Sequence, residues 1–194
     1  MSLIPEFDIG VWNAWIFVLA GLFLHMVPPM LATQFNKNLN KKFSEAPADV
    51  YLNKNERRIS TIAIAFLLLL FFYTVFLPLQ LATPWFYTGL VIFLLAEIVY
   101  MITIFPWAAT PVDKPVTTGI YRYSRHPIYL TLFFQLIGVG IATASWLFIL
   151  LTVVFMILFH NSVAPEERGC LEKYGDAYRE YMERTPRWIG LPKS

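Results

Sequence analysis

The chain has 194 residues, and its composition excludes a soluble globular domain. Hydrophobic residues make up 57% of the chain and charged residues only 14%, whereas about a quarter of the residues in soluble domains are charged. The net charge at pH 7 is only +2, and the single cysteine, Cys170, forbids an internal disulfide and offers no metal-ligand spacing. The sequence therefore predicts a membrane protein, and we expect neither a metal nor a nucleic acid among its partners.

Three apolar runs in the first part of the chain each predict one membrane-spanning helix. The first extends over Val11–Leu31 and contains Pro28-Pro29, where we expect the helix to kink or stop. The chain before it lacks the basic start of a signal peptide, so we expect this helix to be retained. The second and third runs are Ile59–Leu77 and Trp85–Phe105. The polar segment Thr33–Arg58 predicts a long solvent-side loop between the first two spans.

The fourth apolar run, Tyr129–Phe159, has 31 residues without a charge, which is too many for one ordinary span. Gly138, Gly140 and the small polar patch Thr143–Ser145 predict a tight turn inside this run, with Ser145 as a helix N-cap. The run is therefore predicted to form a helical hairpin. The predicted fold is all-α: a polytopic integral membrane protein with five transmembrane helices.

The polar tail, Glu166–Ser194, is predicted to form short cytosolic helices after the hairpin. Tyr174-Gly175 is typical of a helix end. Tyr178, Tyr181 and Met182 follow at the spacing of one helix face, which predicts a second short helix.

The positive charges indicate the orientation in the membrane. All 15 Lys and Arg residues fall in three segments: the loop before the second span, the segment before the hairpin, and the tail. Lys and Arg accumulate in cytoplasmic loops, so these three segments are predicted to share the cytosolic face. We expect a multi-pass protein of a prokaryotic cell membrane or of the endoplasmic reticulum, with its active site facing the cytosol.

The densest polar and aromatic stretch of the chain is Gly119–Tyr129, directly before the hairpin. Pro127 is typical of the first position of a helix, so His126 is predicted to lie at a helix N-terminus. Free N–H groups and the helix dipole favour a carboxylate or phosphate there. The alternative is an interfacial belt, in which the tyrosines lie at headgroup depth and Arg122 and Arg125 bind lipid phosphate.

Two ionisable residues fall inside predicted spans. An acid in a span costs about 2.5–3.5 kcal/mol on insertion scales, so Glu97 is expected to face a partner or a watery cavity. The alternative is a protonated Glu97 that is hydrogen-bonded within the bundle. His25, near the end of the first span, is expected to be a satisfied interfacial histidine.

The tail begins with the carboxylate pair Glu166-Glu167, close to His160 and Asn161 at the end of the hairpin. A hairpin returns the chain to the membrane face that it left, so this pair is predicted to lie beside the central motif. Alone, such a pair is typical of a solvated helix start.

These motifs together resemble a known family. The pattern GxYxxxRHPxY in Gly119–Tyr129, then a hydrophobic hairpin, then Glu166-Glu167 followed by Tyr174-Gly175, is similar to the isoprenylcysteine carboxyl methyltransferases and the related phospholipid methyltransferases. The resemblance covers roughly Asp113–Pro186, and the first three spans match only in being hydrophobic.

The resemblance implies that the cofactor is S-adenosylmethionine. It implies a single membrane-embedded methyltransferase domain over residues 1–194, with the cofactor-binding part at 111–186. The residues implied to bind the cofactor are Lys114, Pro115, Val116, Tyr121, His126, Pro127, Ile128, Tyr129, His160, Glu166 and Glu167. Glu167 and Arg125 are the candidate catalytic residues. A methionine carboxylate suits a helix N-terminus, and an ammonium suits carboxylates.

The sequence departs from the prenylcysteine branch of this family at two positions. That branch has a histidine where Asp113 stands and an arginine where Ser162 stands, and the arginine holds the substrate carboxylate. Arg122, Arg125 and Arg168 are the candidates to replace it.

The predicted function is methyl transfer from S-adenosylmethionine to the carboxylate of a prenylated cysteine, or to a similar lipophilic acceptor, at the cytosolic membrane interface. The predicted partners are this lipophilic substrate and membrane lipid, and the oligomeric state stays unknown. The alternatives are N-methylation of a phospholipid amine, a nicotinamide-dependent sterol-type reductase, and a non-enzymatic lipid-binding or scaffold protein. The reductases carry a similar Arg-His-Pro segment but have a basic-acidic pair where Glu166-Glu167 stands.

Overall fold

The computed structural model describes residues 8–35 and 52–193, and these residues contain helices and no β-sheet. The helices are α1 (Trp15–Phe35), α2 (Lys54–Tyr73), α3 (Pro84–Ala109), α4 (Pro127–Ala142), α5 (Trp146–His160), α6 (Val163–Tyr174) and α7 (Asp176–Arg184). Short 3-10 turns follow α2 at Thr74–Phe76 and precede α4 at Gly119–Arg122. The prediction of an all-α fold is confirmed.

The outer surfaces of these helices are those of a membrane protein. Lys54–Phe76, Pro84–Ala109 and Trp146–Tyr174 are long and apolar enough to cross a membrane, whereas Trp15–Val27 and Pro127–Ala142 are apolar but shorter. Several large apolar side chains of α2 and α3 are more than half exposed: Leu68, Leu69, Phe72, Leu95, Ile98 and Phe105. Soluble monomers rarely expose such extended apolar faces. The predicted total of five spans goes beyond these three and stays a prediction.

α3 and α4 form the most extensively packed helix pair. A Cβ atom at Gly89 would lie 2.4 Å from the carbonyl oxygen of Gly138, and a Cβ atom at Gly138 would lie 2.8 Å from that of Gly89. These glycines let the two backbones touch, as small residues do between membrane helices. Gly138 and Gly140 therefore lie inside α4, and the prediction that they belong to the turn is wrong. Gly140 makes room for α5, since a Cβ atom there would lie 2.6 Å from Ile149 Cγ1.

The turn between α4 and α5 consists of Thr143–Ser145. Ser145 caps α5, because its Oγ accepts a hydrogen bond from the Phe148 N–H across 3.2 Å. The predicted N-cap is therefore confirmed. Phe148 and Phe155 of α5 are fully buried in the core, where α5 packs against α2 as well as α4.

The prediction at Pro28-Pro29 was a kink or a stop. α1 continues through these prolines to Phe35, so the helix does not stop there, and the kink stays a prediction. A proline lacks the N–H that would bond the carbonyl four residues earlier, so Pro29 leaves the carbonyl of His25 without a helical donor. The hydroxyl of Tyr100 in α3 donates to that oxygen across 3.4 Å. A neighbouring helix thus satisfies the freed backbone group, as happens in other membrane helices.

α2 begins inside the segment that was predicted to be a loop. Asn53 and Glu56 form a capping box, in which each side chain accepts a hydrogen bond of 2.9 Å from the other residue's backbone N–H. The loop prediction is therefore wrong at both ends, because Lys54–Arg58 belong to α2 and Thr33–Phe35 belong to α1. Residues 36–51 of the predicted loop lie outside the described residues.

α1, α3 and α4 meet at a buried polar cluster of His25, Glu97 and Gln135. His25 Nε2 lies 3.4 Å from Glu97 Oε2 and 2.9 Å from Gln135 Nε2. The His25 ring stacks on Tyr100, with the ring centroids 3.7 Å apart. Neither carboxyl oxygen of Glu97 has a hydrogen-bond partner among the described residues. Glu97 thus faces His25 at an ion-pair distance, which agrees with the prediction that it faces a partner, and His25 contacts both α3 and α4.

α6 and α7 follow α5 as the predicted short helices. α6 ends at Tyr174, and Gly175 adopts a φ of +56°, a conformation that favours glycine. Tyr178 and Tyr181 are the buried residues of α7, which confirms the predicted helix face.

Candidate functional site

The candidate site lies where the start of α4 meets the start of α6. α4 begins at Pro127 with His126 directly before it, which confirms the predicted helix start. Ser124 holds this start in place, because its Oγ accepts a hydrogen bond from the His126 N–H across 3.1 Å. Glu166 and Glu167 lie in the first turns of α6 and, as predicted, beside His126.

Glu167 lies at the centre of the site and is only 3% exposed. His126 Nε2 lies 3.2 Å from Glu167 Oε1. Arg187 donates to both oxygens, from Nε to Oε1 across 3.2 Å and from its second terminal nitrogen, Nη2, to Oε2 across 2.6 Å. Arg125 Nη1 lies 3.0 Å from Oε1, which is an ion-pair distance, but it is not aligned for a hydrogen bond. Two guanidinium groups and one imidazole therefore surround a single carboxylate.

These neighbours keep Glu167 ionised. Burial alone would raise its pKa, but the hydrogen bonds from His126 and Arg187 and the charge of Arg125 outweigh burial and lower the pKa of Glu167 to about 2. An ionised carboxylate only accepts hydrogen bonds, so the His126 imidazole is the donor in their contact. The hydrogen bond to Glu167 in turn raises the pKa of Arg187 above its ordinary value.

Arg125 carries two unused hydrogen-bond donors. Its side chain is 9% exposed, and neither Nε nor Nη1 has a hydrogen-bond partner among the described residues. A buried donor without a partner costs about 1–3 kcal/mol, and folded proteins leave few of them. The two nitrogens are therefore available to an anionic or carbonyl group of a ligand.

Glu166 is more open than Glu167, with its side chain 38% exposed. The Tyr129 hydroxyl donates to Glu166 Oε2, and His126 Nδ1 lies 3.6 Å from the same oxygen. The rings of Tyr129 and His126 stack with their centroids 5.4 Å apart, which fixes both groups. Both contacts use one oxygen, so the carboxylate keeps capacity to accept hydrogen bonds from a cationic ligand group.

A tyrosine cluster of Tyr121, Tyr178 and Tyr181 lies beside these charged residues. The Tyr181 hydroxyl donates to the Tyr121 carbonyl oxygen across 2.7 Å, which ties α7 to the turn before α4. Burial raises the pKa of all three hydroxyls, so they stay neutral. The predicted cofactor-binding segment Lys114–Val116 reaches this cluster through Val116, which packs against it.

The C-terminal strap, residues 185–193, folds back onto the central motif. The Arg125 N–H donates to the Pro186 carbonyl oxygen and the Gly190 N–H donates to the Tyr123 carbonyl oxygen, each across 3.1 Å. These backbone hydrogen bonds hold the strap against the residues that precede α4.

The strap also supplies an aromatic side chain, Trp188. Its ring centroid lies 6.1 Å from that of His126 and 5.5 Å from that of His160. His160 is itself exposed at the end of α5, and Trp188 connects it to the site.

An apolar cavity of about 760 Å³ adjoins the charged residues. Its walls come from residues 92–99 of α3, residues 127–134 of α4, and residues 189–191 of the strap. Ser124 and Pro127 also line it, and they flank Arg125 and His126 in the sequence. The volume is typical of a small-molecule pocket, about 300–1,000 Å³. The charged site and the apolar cavity therefore share one wall.

The structure places Ser162, one of the two departures from the prenylcysteine branch, and two of the arginines proposed to replace the family's arginine. Ser162 Oγ lies 2.9 Å from Ser60 Oγ in α2, so Ser162 contacts α2. Arg168, one candidate to replace the family's arginine, donates to Glu56 across 2.6 Å. Of the proposed replacements, Arg125 is the one that contacts Glu167.

Arg187 and Trp188 are site residues that the sequence analysis missed. Arg187 lies 20 residues after Glu167, in a stretch whose only visible features are its prolines and charges. One signal in the sequence did indicate a basic partner from the tail. Two adjacent carboxylates near a membrane need cationic partners when they are buried, and the tail contains several Lys and Arg residues. Spacing alone does not select Arg187 from the other basic residues of the tail.

The comparison with known families decides the class of protein. A model of the phospholipid methyltransferase family matches residues 79–177, just over half of the chain. The chain belongs to the phospholipid methyltransferase family. The matched residues include α3 to α6, and therefore the central motif, the cavity walls on α3 and α4, and both glutamates. The resemblance predicted from the sequence is confirmed.

Individual relatives match this chain over 77 to 88 residues. The protein-S-isoprenylcysteine O-methyltransferase of Schizosaccharomyces pombe is 32% identical over 77 residues, which are 39% of this chain and 33% of that protein. Methanethiol S-methyltransferase 1 of Bradyrhizobium diazoefficiens is 34% identical over 86 residues, 44% of this chain and 29% of that protein. The protein-S-isoprenylcysteine O-methyltransferase of Xenopus laevis is 32% identical over 88 residues, which are 40% of this chain and 26% of that protein. The chain thus spans about a third of the length of the curated relatives that it matches.

Proposed function

We propose that this protein transfers a methyl group from S-adenosylmethionine to a lipophilic acceptor at the cytosolic face of a membrane. Membership of a methyltransferase family supports the reaction class. The observation that carries the proposal further is the shared wall between a cluster of charged residues and an apolar cavity of about 760 Å³. Such a site suits an acceptor with a polar reacting end and an apolar tail.

The chemistry of the charged residues fits S-adenosylmethionine. Arg125, with its two unused donors, and the N-terminus of α4 suit the carboxylate of the methionine part. Glu166 suits the ammonium group, because Glu167 is already surrounded by Arg125, Arg187 and His126. When bound, S-adenosylmethionine supplies an electrophilic methyl group on its sulfonium. The remaining residues proposed to line its site are Lys114, Pro115, Val116, Tyr121, Pro127, Ile128, Tyr129 and His160.

Glu167 acts in this proposal as a positioning residue. A carboxylate with a pKa of about 2 is too weak a base to remove a proton from an ammonium group at neutral pH. It fixes the orientation of His126 and holds Arg125 and Arg187 in the site. The protein then contributes mainly by positioning the reactants and excluding water.

The weak basicity of Glu167 favours an acceptor that is already ionised. A carboxylate needs no general base at neutral pH, whereas an amine must first lose a proton. The carboxylate of a prenylated cysteine meets this requirement, and its isoprenoid chain suits the apolar cavity. Phosphatidylethanolamine or another lipid amine is the second candidate, which the family's description favours.

The proposed topology has five spans, with the site on the cytosolic side. The positive charges of the chain and the two shorter apolar helices, Trp15–Val27 and Pro127–Ala142, support it. In a Cys170→Ala background, a cysteine at Asp176 should react with an impermeant thiol reagent only after the membrane is opened. A cysteine at Leu81 should react in intact cells, and the reverse pattern would contradict this orientation.

The reaction is tested by following radiolabelled methyl from S-adenosylmethionine into S-farnesylcysteine analogues and into membrane lipid. A methyl ester releases methanol in mild base, whereas an N-methyl amine does not. Base-labile label on the cysteine analogue is the expected result. Base-stable label on a lipid headgroup would show that the acceptor is an amine and not a carboxylate. Absence of transfer to either acceptor would contradict the proposed function.

A further inference from the structure

Arg187 has a second hydrogen-bonding edge that Glu167 does not occupy. A guanidinium group offers five N–H donors in a planar fork. Glu167 binds the edge formed by Nε and Nη2, across 3.2 and 2.6 Å. The other edge, between the two terminal nitrogens, has no partner among the described residues, and the side chain is 36% exposed. Glu167 therefore holds Arg187 rigidly while leaving one edge free for a ligand.

The strap carries both Arg187 and one wall of the apolar cavity within a few residues of each other. Ile189, Gly190 and Leu191, which follow Arg187 almost directly, line the cavity. Two residues of extended chain span at most about 7 Å, so the guanidinium group and the cavity wall belong to the same short segment. The backbone of the strap is pinned on both sides of Arg187, at Pro186 and at Gly190.

The other arginines near the site are less suited to the acceptor. Arg125 is only 9% exposed, and its two unused donors are already assigned to the carboxylate of the cofactor in the proposed function. Arg168 binds Glu56 at the start of α2. Ser162, at the position where the prenylcysteine branch has its arginine, contacts Ser60.

We propose that Arg187 binds the acceptor's carboxylate through its free edge while the acceptor's apolar tail occupies the adjoining cavity. This inference rests on the proposed function and names the residue that selects a carboxylate end group. A planar fork matches a carboxylate through two parallel hydrogen bonds, which gives both affinity and orientation. In this arrangement Arg187 orients the carboxylate so that the oxygen that accepts the methyl group is directed toward the charged site.

The test compares binding of two probes, N-acylated S-farnesylcysteine and its carboxamide, to the purified full-length protein. The two probes share the apolar tail and differ only in the charge of the end group. Arg187→Gln should weaken binding of the carboxylate by about ten- to a hundredfold, the effect of losing one charge-assisted interaction. Binding of the carboxamide should change less than threefold, and KM for the carboxylate should rise more than kcat falls.

Two further variants make the result specific. Arg179→Gln removes an exposed arginine of α7 whose described ion pair is with Asp176, and it should leave both affinities unchanged. Arg187→Lys keeps the charge beside Glu167 but loses the planar fork, so it should still weaken carboxylate binding selectively. Arg187→Lys also tests the proposal if Arg187→Gln does not fold.

The proposal is overturned if the Arg187 variants bind both probes as the unmodified protein does, or lose both equally. An unmodified protein that methylates the carboxylate, with no selective loss in the variants, would overturn the role of Arg187 and leave the proposed function intact. An unmodified protein that binds S-adenosylmethionine but shows no preference for the carboxylate over the carboxamide would likewise overturn it. Absence of any methyl transfer would overturn both.

Discussion

Among the described residues two glutamates are buried, Glu167 and Glu97, and their surroundings differ. Each is 3% exposed, and each has a histidine nitrogen 3.2–3.4 Å from a carboxyl oxygen. Glu167 has two guanidinium groups in addition to its histidine. Glu97 has only His25 nearby, and neither of its oxygens has a hydrogen-bond partner among the described residues.

The difference follows from where each residue lies. Glu97 is in the middle of α3, where its described ion-pair contact is with His25 of α1. Glu167 is at the start of α6, where Arg125 and the strap bring cations to it. A buried charge is tolerated when it is paired and hydrogen-bonded. Glu167 is therefore held in its charged form by the cations around it, whereas Glu97 links α3 to α1 through His25.

Removing the charge of Glu167 should have the largest effect. Glu167→Gln leaves Arg125 and Arg187 without their shared anion, and breaking a buried ion pair costs about 3–5 kcal/mol. We expect thermal unfolding in detergent to shift to clearly lower temperature. An unfolding temperature within a degree of the unmodified protein would show that the carboxylate does not hold these arginines.

Lowering the pH should reproduce part of this effect in the unmodified protein. The pKa of Glu167 is about 2 in the folded protein, below the ordinary 4.5, because of its hydrogen bonds and the nearby arginines. Its contribution to stability is therefore complete above pH 4.5 and is lost as pH falls from about 4.5 to about 2. The difference in unfolding temperature between the unmodified protein and Glu167→Gln should shrink across this range. A difference that stays constant with pH would contradict the assignment.

Glu97→Gln should have the smallest effect. The amide has the same shape as the carboxyl group, and no hydrogen bond to either Glu97 oxygen is lost. We expect the free energy of unfolding to change by less than about 1 kcal/mol and most activity to remain. Complete loss of methyl transfer with normal cofactor binding would instead implicate the charge of Glu97 in handling the substrate.

The sequence predicted those features whose cause is local. The start of α4 at His126-Pro127, the cap at Ser145 and the end of α6 at Tyr174 depend on neighbouring residues, and all three were predicted correctly. Gly138 was assigned to a turn because its purpose, contact with Gly89 on another helix, is not visible in the sequence.

The candidate site likewise contains features that the sequence predicted and features that depend on distant parts of the chain. The proximity of Glu167 to His126 was predicted from the resemblance and from the return of the chain to one face. The role of Arg187 was not, because it depends on a strap that leaves α7 and folds back over the start of α4. The identity of the partner of Glu97 could not be predicted either, since His25 and Glu97 lie on separate helices far apart in the chain.

We propose that the residues around His126, and not the cluster around His25, bind S-adenosylmethionine. Calorimetric titration of S-adenosylmethionine into the unmodified protein, His126→Ala and His25→Ala tests it most directly. We predict that His126→Ala weakens binding by about 1.5–3 kcal/mol, which is about one to two decades in affinity, and that His25→Ala leaves it unchanged. Absence of binding to the unmodified protein, or a loss of affinity confined to His25→Ala, would contradict the account.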